Sequence, residues 1–263
     1  MKLADIITTE YEEVEEKVSL KQKAKLKKDN ALLRAYDLFN NEYIRNTIYR
    51  NSRCEEILLE ETRVEYSPEE LTAFSLLLPE IMPYEAEYNA SMFLSQAIRL
   101  HAKKRHEEKL PQEKYCIITE GIREGNEENE FTAFARKMIW GTIEVYGNLS
   151  SEAAYQMKNG NLTVYGSVQN ESGYQMDNGT IVIEGNCERS LGYHMRYGKI
   201  LVKKNAGNFV GLGMFNGEIT VLGNAGYDIG LDAKGGIIRI AGEIGSIAMN
   251  TRAHIYHKGE KIR

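Results

Sequence analysis

The sequence lacks an apolar run long enough to cross a bilayer, and residues 1–20 are acidic, without the apolar stretch of a secretory leader. A membrane association is therefore not expected, and a cytoplasmic protein is. There is no basic excess. Lys and Arg total 33 against 38 Asp and Glu, a net charge of −5, which excludes a general nucleic-acid binder held by phosphate neutralisation. Cysteine is sparse, with Cys54, Cys116 and Cys187 far apart and fitting no metal-ligand spacing. They read as buried or incidental thiols of a reducing compartment. Proline is low at 4, whereas glycine is high at 23. The acid excess lies in residues 1–113; residues 114–263 carry 16 charges of each sign. Glycine shifts at the same boundary, so two parts are expected.

Glycine recurs at Gly141, Gly160, Gly179, Gly198, Gly217 and Gly236, every 19 residues. With each as position 1, position 3 reads Ile143, Leu162, Ile181, Ile200, Ile219, Ile238. Position 5 reads Val145, Val164, Ile183, Val202, Val221, Ile240. This alternation of mostly β-branched residues marks a strand with one face buried. Position 7 is glycine except at Lys204, position 8 is mostly asparagine, and position 17 reads Met157, Met176, Met195, Met214, Ala233. Glycine is too frequent, and the apolar spacing wrong, for a helix. A 19-residue unit cannot bury its apolar columns alone; stacking equivalent units at about 4.8 Å does. Positions 3, 5 and 17 should point inward. The asparagine column at position 8 suits a tight turn and would also pass side-chain amide hydrogen bonds between coils. A further coil is expected first, with Ile117, Thr119 and Gly121 at positions 3, 5 and 7 and a seven-residue loop inserted around residues 123–129. Ala135, Met138 and Trp140 then take positions 14, 17 and 19. The fold class is α+β: an N-terminal helical region followed by a right-handed parallel β-helix of about seven coils.

Asn205-Ala206-Gly207, Asn224-Ala225-Gly226, Gly173-Tyr174-Gln175-Met176 and Gly192-Tyr193-His194-Met195 carry a resemblance to the GXGXG repeat domain. That family includes the C-terminal domain of the glutamate synthase large subunit and one of the subunits of formylmethanofuran dehydrogenase. The resemblance covers residues 115–250, with Lys204 a departure at one turn. It implies a right-handed parallel β-helix. It implies no activity of its own, since fold analogy does not transfer chemistry and the catalytic domains of those enzymes have no counterpart here.

Residues 1–113 read as an α-helical cap or docking region, and 114–263 as the β-helix with its C-terminal cap. Residues 10–28 run from glutamates to lysines, as a helix dipole favours. Leu32, Tyr36, Phe39 and Tyr43 form a helical stripe. Ser67-Pro68-Glu69-Glu70 is a helix start, and Pro79 should end or kink that helix. A last helix, about 85–104, ends in Lys103, Lys104 and Arg105, which suit its negative end and could alternatively hold an anion. The helices are placed to cover the open N-terminal end of the solenoid, and residues 251–263, which break the repeat, to close the other.

Outward strand positions bring no carboxylates into convergence. Glu144 and Glu184 are two coils apart, and Lys203 should pair with Glu184. Tyr146, Tyr165, Val182, Leu201 and Leu222 give the outer face an apolar patch suited to self-association. The most suggestive set is Tyr155, Tyr174 and Tyr193 beside Gln156, Gln175 and His194, either an aromatic ladder that stiffens the solenoid or a binding surface. Residues 207–213 precede no helix and are not a phosphate loop; His254 and His257 are isolated. No catalytic, cofactor-binding or metal residue is assigned and no cofactor is expected. The sequence points to a non-catalytic scaffold or protein-interaction protein with a protein partner or a second copy. The alternative is an accessory subunit of a redox or amidotransferase complex.

Overall fold

A computed structural model describes residues 30–43, 50–81, 87–119 and 133–263. The helix expected over 10–28 and the loop around 123–129 lie outside these. Four helices come first: α1 (Ala31–Tyr43), α2 (Arg50–Thr62), α3 (Pro68–Ile81) and α4 (Glu87–Glu107). The strands are β1 (Lys114–Ile118), β2 (Thr142–Tyr146), β3 (Asn161–Val164), β4 (Val168–Asn170), β5 (Thr180–Ile183), β6 (Cys187–Arg189), β7 (Lys199–Val202), β8 (Glu218–Val221), β9 (Ile237–Ile240), β10 (His254–His257) and β11 (Glu260–Lys261).

The main sheet runs β1-β2-β3-β5-β7-β8-β9-β10-β11, parallel except for the last pair. From β2 to β9 each strand pairs with its counterpart 19 residues on, so position 3 lies over position 3 and position 5 over position 5. About six turns span residues 142–257, one fewer than expected, with β1 as a further strand beneath them. The expected inward columns are buried throughout: every position-3 and position-5 side chain, and Met157, Met176, Met195, Met214 and Ala233. Each such aliphatic side chain contributes about 1.5–3 kcal/mol of transfer free energy.

Two more inward columns were not foreseen. Position 9 (Leu149, Val168, Cys187, Ala206, Ala225) and position 13 (Ala153, Ser172, Leu191, Val210, Ile229) are also buried. Position 9 forms a second parallel face, through β4 paired with β6 and single bridges along the other coils. The glycine at position 1 has a physical reason at Gly179. Its φ is +103°, and a Cβ there would stand 2.8 Å from the Met157 methyl and 2.7 Å from the Gly160 carbonyl oxygen. Met157, three residues before Gly160, thus fills the space that Gly179, stacked over Gly160, leaves open. Lys204, the departure at position 7, is accommodated: its N–H reaches the Gly185 oxygen at 3.3 Å, against 2.9–3.0 Å for the equivalent bonds of Gly185, Gly223 and Gly242.

The asparagine column works differently from a side-chain amide ladder. The side-chain oxygens of Asn148, Ser167, Asn186, Asn205 and Asn224 each accept the backbone N–H of the position-8 residue on the next coil, at 2.8–3.1 Å. One short oxygen per coil therefore both shapes the turn and fixes its distance to the neighbour.

The first coil is displaced from expectation. β1 aligns Tyr115 with Ile143 and Ile117 with Val145, so Tyr115 and Ile117 occupy positions 3 and 5. Thr119 lies beyond them, buried, with its N–H on the Tyr146 oxygen. Side chains alternate with period two, so a two-residue slip keeps the same face inward and alternation alone does not detect it. At the other end the tail first extends the sheet. Ile255 pairs with Ile238 in a coil shortened to 17 residues, and only β11 turns back, antiparallel, to leave a two-residue charged edge.

The helices close the N-terminal end. Leu32, Tyr36 and Phe39 bury against Phe74 and Phe93, with Tyr36 meeting both rings edge-on at 5.3 Å. Ser67 caps α3 reciprocally: its Oγ accepts the Glu70 N–H at 3.2 Å and Glu70 accepts the Ser67 N–H at 2.9 Å. Helix α3 runs two residues past Pro79, to Ile81. At the end of α4 the basic cluster is already engaged, Lys103 with Glu107, Lys104 with the Val64 oxygen and Arg105 with Glu113. Most telling are two buried helical serines. Ser75 of α3 accepts the Ile118 N–H at 3.0 Å, and Ser95 of α4 accepts the Ala135 N–H at 3.0 Å. Both donors sit on the first coil, and among the described residues no earlier coil is there to accept them.

Replacing Ser75 by Ala leaves the buried Ile118 N–H without an acceptor and should cost about 1–3 kcal/mol. Urea unfolding followed by circular dichroism checks this; an unchanged midpoint would show that the serine is not closing the edge.

Candidate functional site

The tyrosine column expected at position 15 is assembled by the turn that precedes each methionine. Within that turn Gln156, Gln175 and His194 hold left-handed φ of 52–53°, which throws positions 15 and 16 out side by side on every coil. Tyr155 and Tyr174 lie 5.0 Å apart, and Tyr174 and Tyr193 stack at 4.8 Å with planes within 8°. Tyr193 then meets His194 at 4.3 Å. The first ring is covered by the Arg136 guanidinium, 4.6 Å from the Tyr155 centroid; Arg136 is the position-15 residue of the first coil, and sequence reasoning missed it. Alongside, Gln156 donates to Gln175 at 2.8 Å, Gln175 donates to the Tyr174 hydroxyl at 3.3 Å, and His194 Nδ1 lies 3.3 Å from the Gly213 oxygen. All six predicted residues are thus brought together and half-buried. The rings stack along the solenoid and the Gln156, Gln175 and Tyr174 polar atoms bond in series beside them rather than converging on a point in space, the geometry of a stiffening ladder.

Other outward charges pair coil to coil in the same way. Lys158 bonds Asp177, which Arg196 also reaches at 2.9 Å. Lys203 meets Glu184 at 2.8 Å, as expected, and Arg239 meets Glu218 at 2.9 Å. Glu144 is held by Lys114 at 2.7 Å and by the Tyr146 hydroxyl at 3.1 Å, so it and Glu184 have separate partners and do not form an acid/base pair. Burial raises the Cys54 thiol far above its usual range and pushes Cys187 up to about 12, which leaves neither as a thiolate near neutrality. No group of three or more His, Cys, Asp or Glu residues that could hold a metal ion occurs among the described residues.

A second surface was not legible as a site. An open cleft of about 590 Å³ runs along the position-1 glycines Gly160, Gly179 and Gly198. Position 19 (Trp140, Asn159, Asn178, Tyr197) forms one wall and position 2 (Asn161, Thr180, Lys199) the other, with Gln112 at one end. The sequence showed this column only as turns, because the cleft is made by absent side chains.

The chain matches no protein-family model and no curated protein sequence.

The junction of helices and solenoid carries a third cluster. His101 of α4 is buried, with Nδ1 2.9 Å from the hydroxyl of the buried Tyr115 and its ring 5.7 Å from that of Tyr66. Burial, reinforced by the Arg105 and Lys104 charges, pushes its imidazole down from 6.5 to about 4. The folded protein therefore keeps His101 neutral where the unfolded chain binds a proton. Stability linked to this group is fully present above pH 6.5 and drains away as pH falls toward 4. His101→Gln should flatten the acid limb of a melting-temperature profile over that window; a limb of unchanged slope would contradict the assignment.

Proposed function

We propose that the protein is a non-catalytic scaffold that offers its solenoid as a rigid interaction surface to a protein partner or to a second copy of itself. The observation that carries this reading is the disposition of outward polar groups. In the ladders of tyrosine, glutamine and asparagine, and in the Lys158–Asp177–Arg196 chain, they pair with the equivalent coil instead of meeting at a reactive centre. Such pairing fixes rung-to-rung geometry, and a surface that loses little entropy on docking binds at lower cost. Tyr165, Val182, Leu201 and Leu222 supply the apolar part of that surface, with Leu222 49% exposed. Tyr146, expected in the same patch, is only 3% exposed and drops out of it.

A second reading rests on the Gly-x-x-Met and Asn-Ala-Gly columns, which support membership of the GXGXG repeat family and a place as an accessory subunit of a redox or amidotransferase complex. Isolation from the native cell separates the two. The scaffold reading expects elution without the absorbance of a flavin, iron–sulfur or molybdopterin enzyme; the accessory reading expects that enzyme in stoichiometric amount.

Sedimentation over a wide concentration range tests self-association. The expected result is a mass above the monomer that Leu222→Lys lowers; a monomer at every concentration would remove the second copy from the proposal.

A further inference from the structure

Among the described residues two side chains lining the cleft over the position-1 glycines are engaged, Asn161, whose Nδ2 donates to Thr142 Oγ1 at 3.4 Å, and Asn159, whose Oδ1 accepts the Gly160 N–H at 2.9 Å. Asn178, Thr180, Tyr197, Lys199, Gln112 and the Trp140 indole N–H have no side-chain hydrogen-bond partner among the described residues, although the neighbouring columns are laddered from coil to coil. Among the described residues the lining holds no carboxylate and Lys199 as its one charge, so a cation or a basic peptide finds no counter-charge there. Aliphatic side chains are missing as well, so the face of an amphipathic helix finds nothing to bury. What remains is a row of amides and hydroxyls, repeated on each rung at about 4.8 Å, between two aromatic rings. Trp140 and Tyr197 hold the same position three rungs apart, about 14 Å along the stack; Tyr197 is 59% exposed, whereas Trp140 is half-buried, with the His106 ring 5.2 Å from its own, and offers only its remaining surface to the cleft.

We propose that this cleft binds a linear, uncharged oligosaccharide lying along the solenoid axis. A pyranose presents an apolar face of C–H groups, polarised positively, that packs on the negative face of an aromatic ring. Its rim of hydroxyls both donates and accepts, as the amides and hydroxyls of the walls require. A polymer of such rings meets equivalent groups on successive rungs and stacks at the two ends. The glycine floor lets it approach the backbone. The cleft is open, so the affinity is modest and depends on chain length.

Trp140 is the single tryptophan of the chain and lines the cleft, so its emission reports occupancy directly. The full-length protein is titrated with cellohexaose, maltohexaose, mannohexaose and chitohexaose, with glucose and an unstructured polar peptide as comparisons. At least one hexaose should shift the emission saturably while glucose at the same concentration does not. Tyr197→Ala, a change at an exposed side chain, should weaken that binding about tenfold or more with the circular dichroism unchanged. Asn178→Ala should weaken it less, and Tyr174→Ala, on the tyrosine ladder, should leave it intact. The proposal fails if no hexaose shifts the emission at about 10 mM, if the peptide does so instead, or if Tyr197→Ala binds as the parent does.

Discussion

An inward side chain in this solenoid is hidden from water by the equivalent side chains directly above and below it together with the inward columns of the facing sides. Ile181 lies between Leu162 and Ile200 in the stack and reaches Gly173 across the coil. The same stacking satisfies the backbone, since each strand's N–H and C=O groups bond to the next coil. Burial and hydrogen bonding therefore depend on one condition, that the phase of the repeat is kept. The devices at the corners serve it: the position-8 oxygens that accept a backbone N–H one coil away, and the methionine methyls that fill the hollow above each glycine.

A stack of identical units has a physical problem at its ends, where the first and last coils expose edges that the middle ones pair. The chain solves it in two ways. At the start, the buried serines of α3 and α4 put a hydroxyl oxygen where a preceding coil would have put a carbonyl. At the finish, a shortened coil and a charged antiparallel return leave little edge to extend. The helices and the solenoid also share one continuous core, which runs from Phe93 through Tyr115 to Ile143. His101 sits buried at that seam, its imidazole held neutral by burial.

The fold was legible wherever a column had one chemical character. Positions 3, 5 and 17 repeat isoleucine, valine or methionine, and all lie inside. Positions 9 and 13 escaped because they mix Leu, Val, Ile, Cys, Ala and Ser, one column shrinking along the stack as the other grows, so no single residue type marks them. The slip at Tyr115 escaped because a shift by two leaves the inward face unchanged. For the surface, the tyrosine column was legible as a recurrence, whereas Arg136, which ends it, belongs to the interrupted first coil and breaks the pattern. The cleft was invisible in the sequence for a different reason: its floor is a row of glycines, and its walls are amides and hydroxyls that ordinary turns also use.

Phase, rather than the identity of any one coil, holds the solenoid together. The most direct test removes chain in two amounts. Deleting residues 180–198, one 19-residue repeat, brings equivalent positions into contact across the cut. The expected product is a folded, shorter protein with β-rich circular dichroism and cooperative unfolding. Deleting residues 180–189 puts unlike positions in contact and should leave a protein without that cooperative transition. Two deletions that behaved alike, both folding or both failing, would contradict a solenoid held by phase.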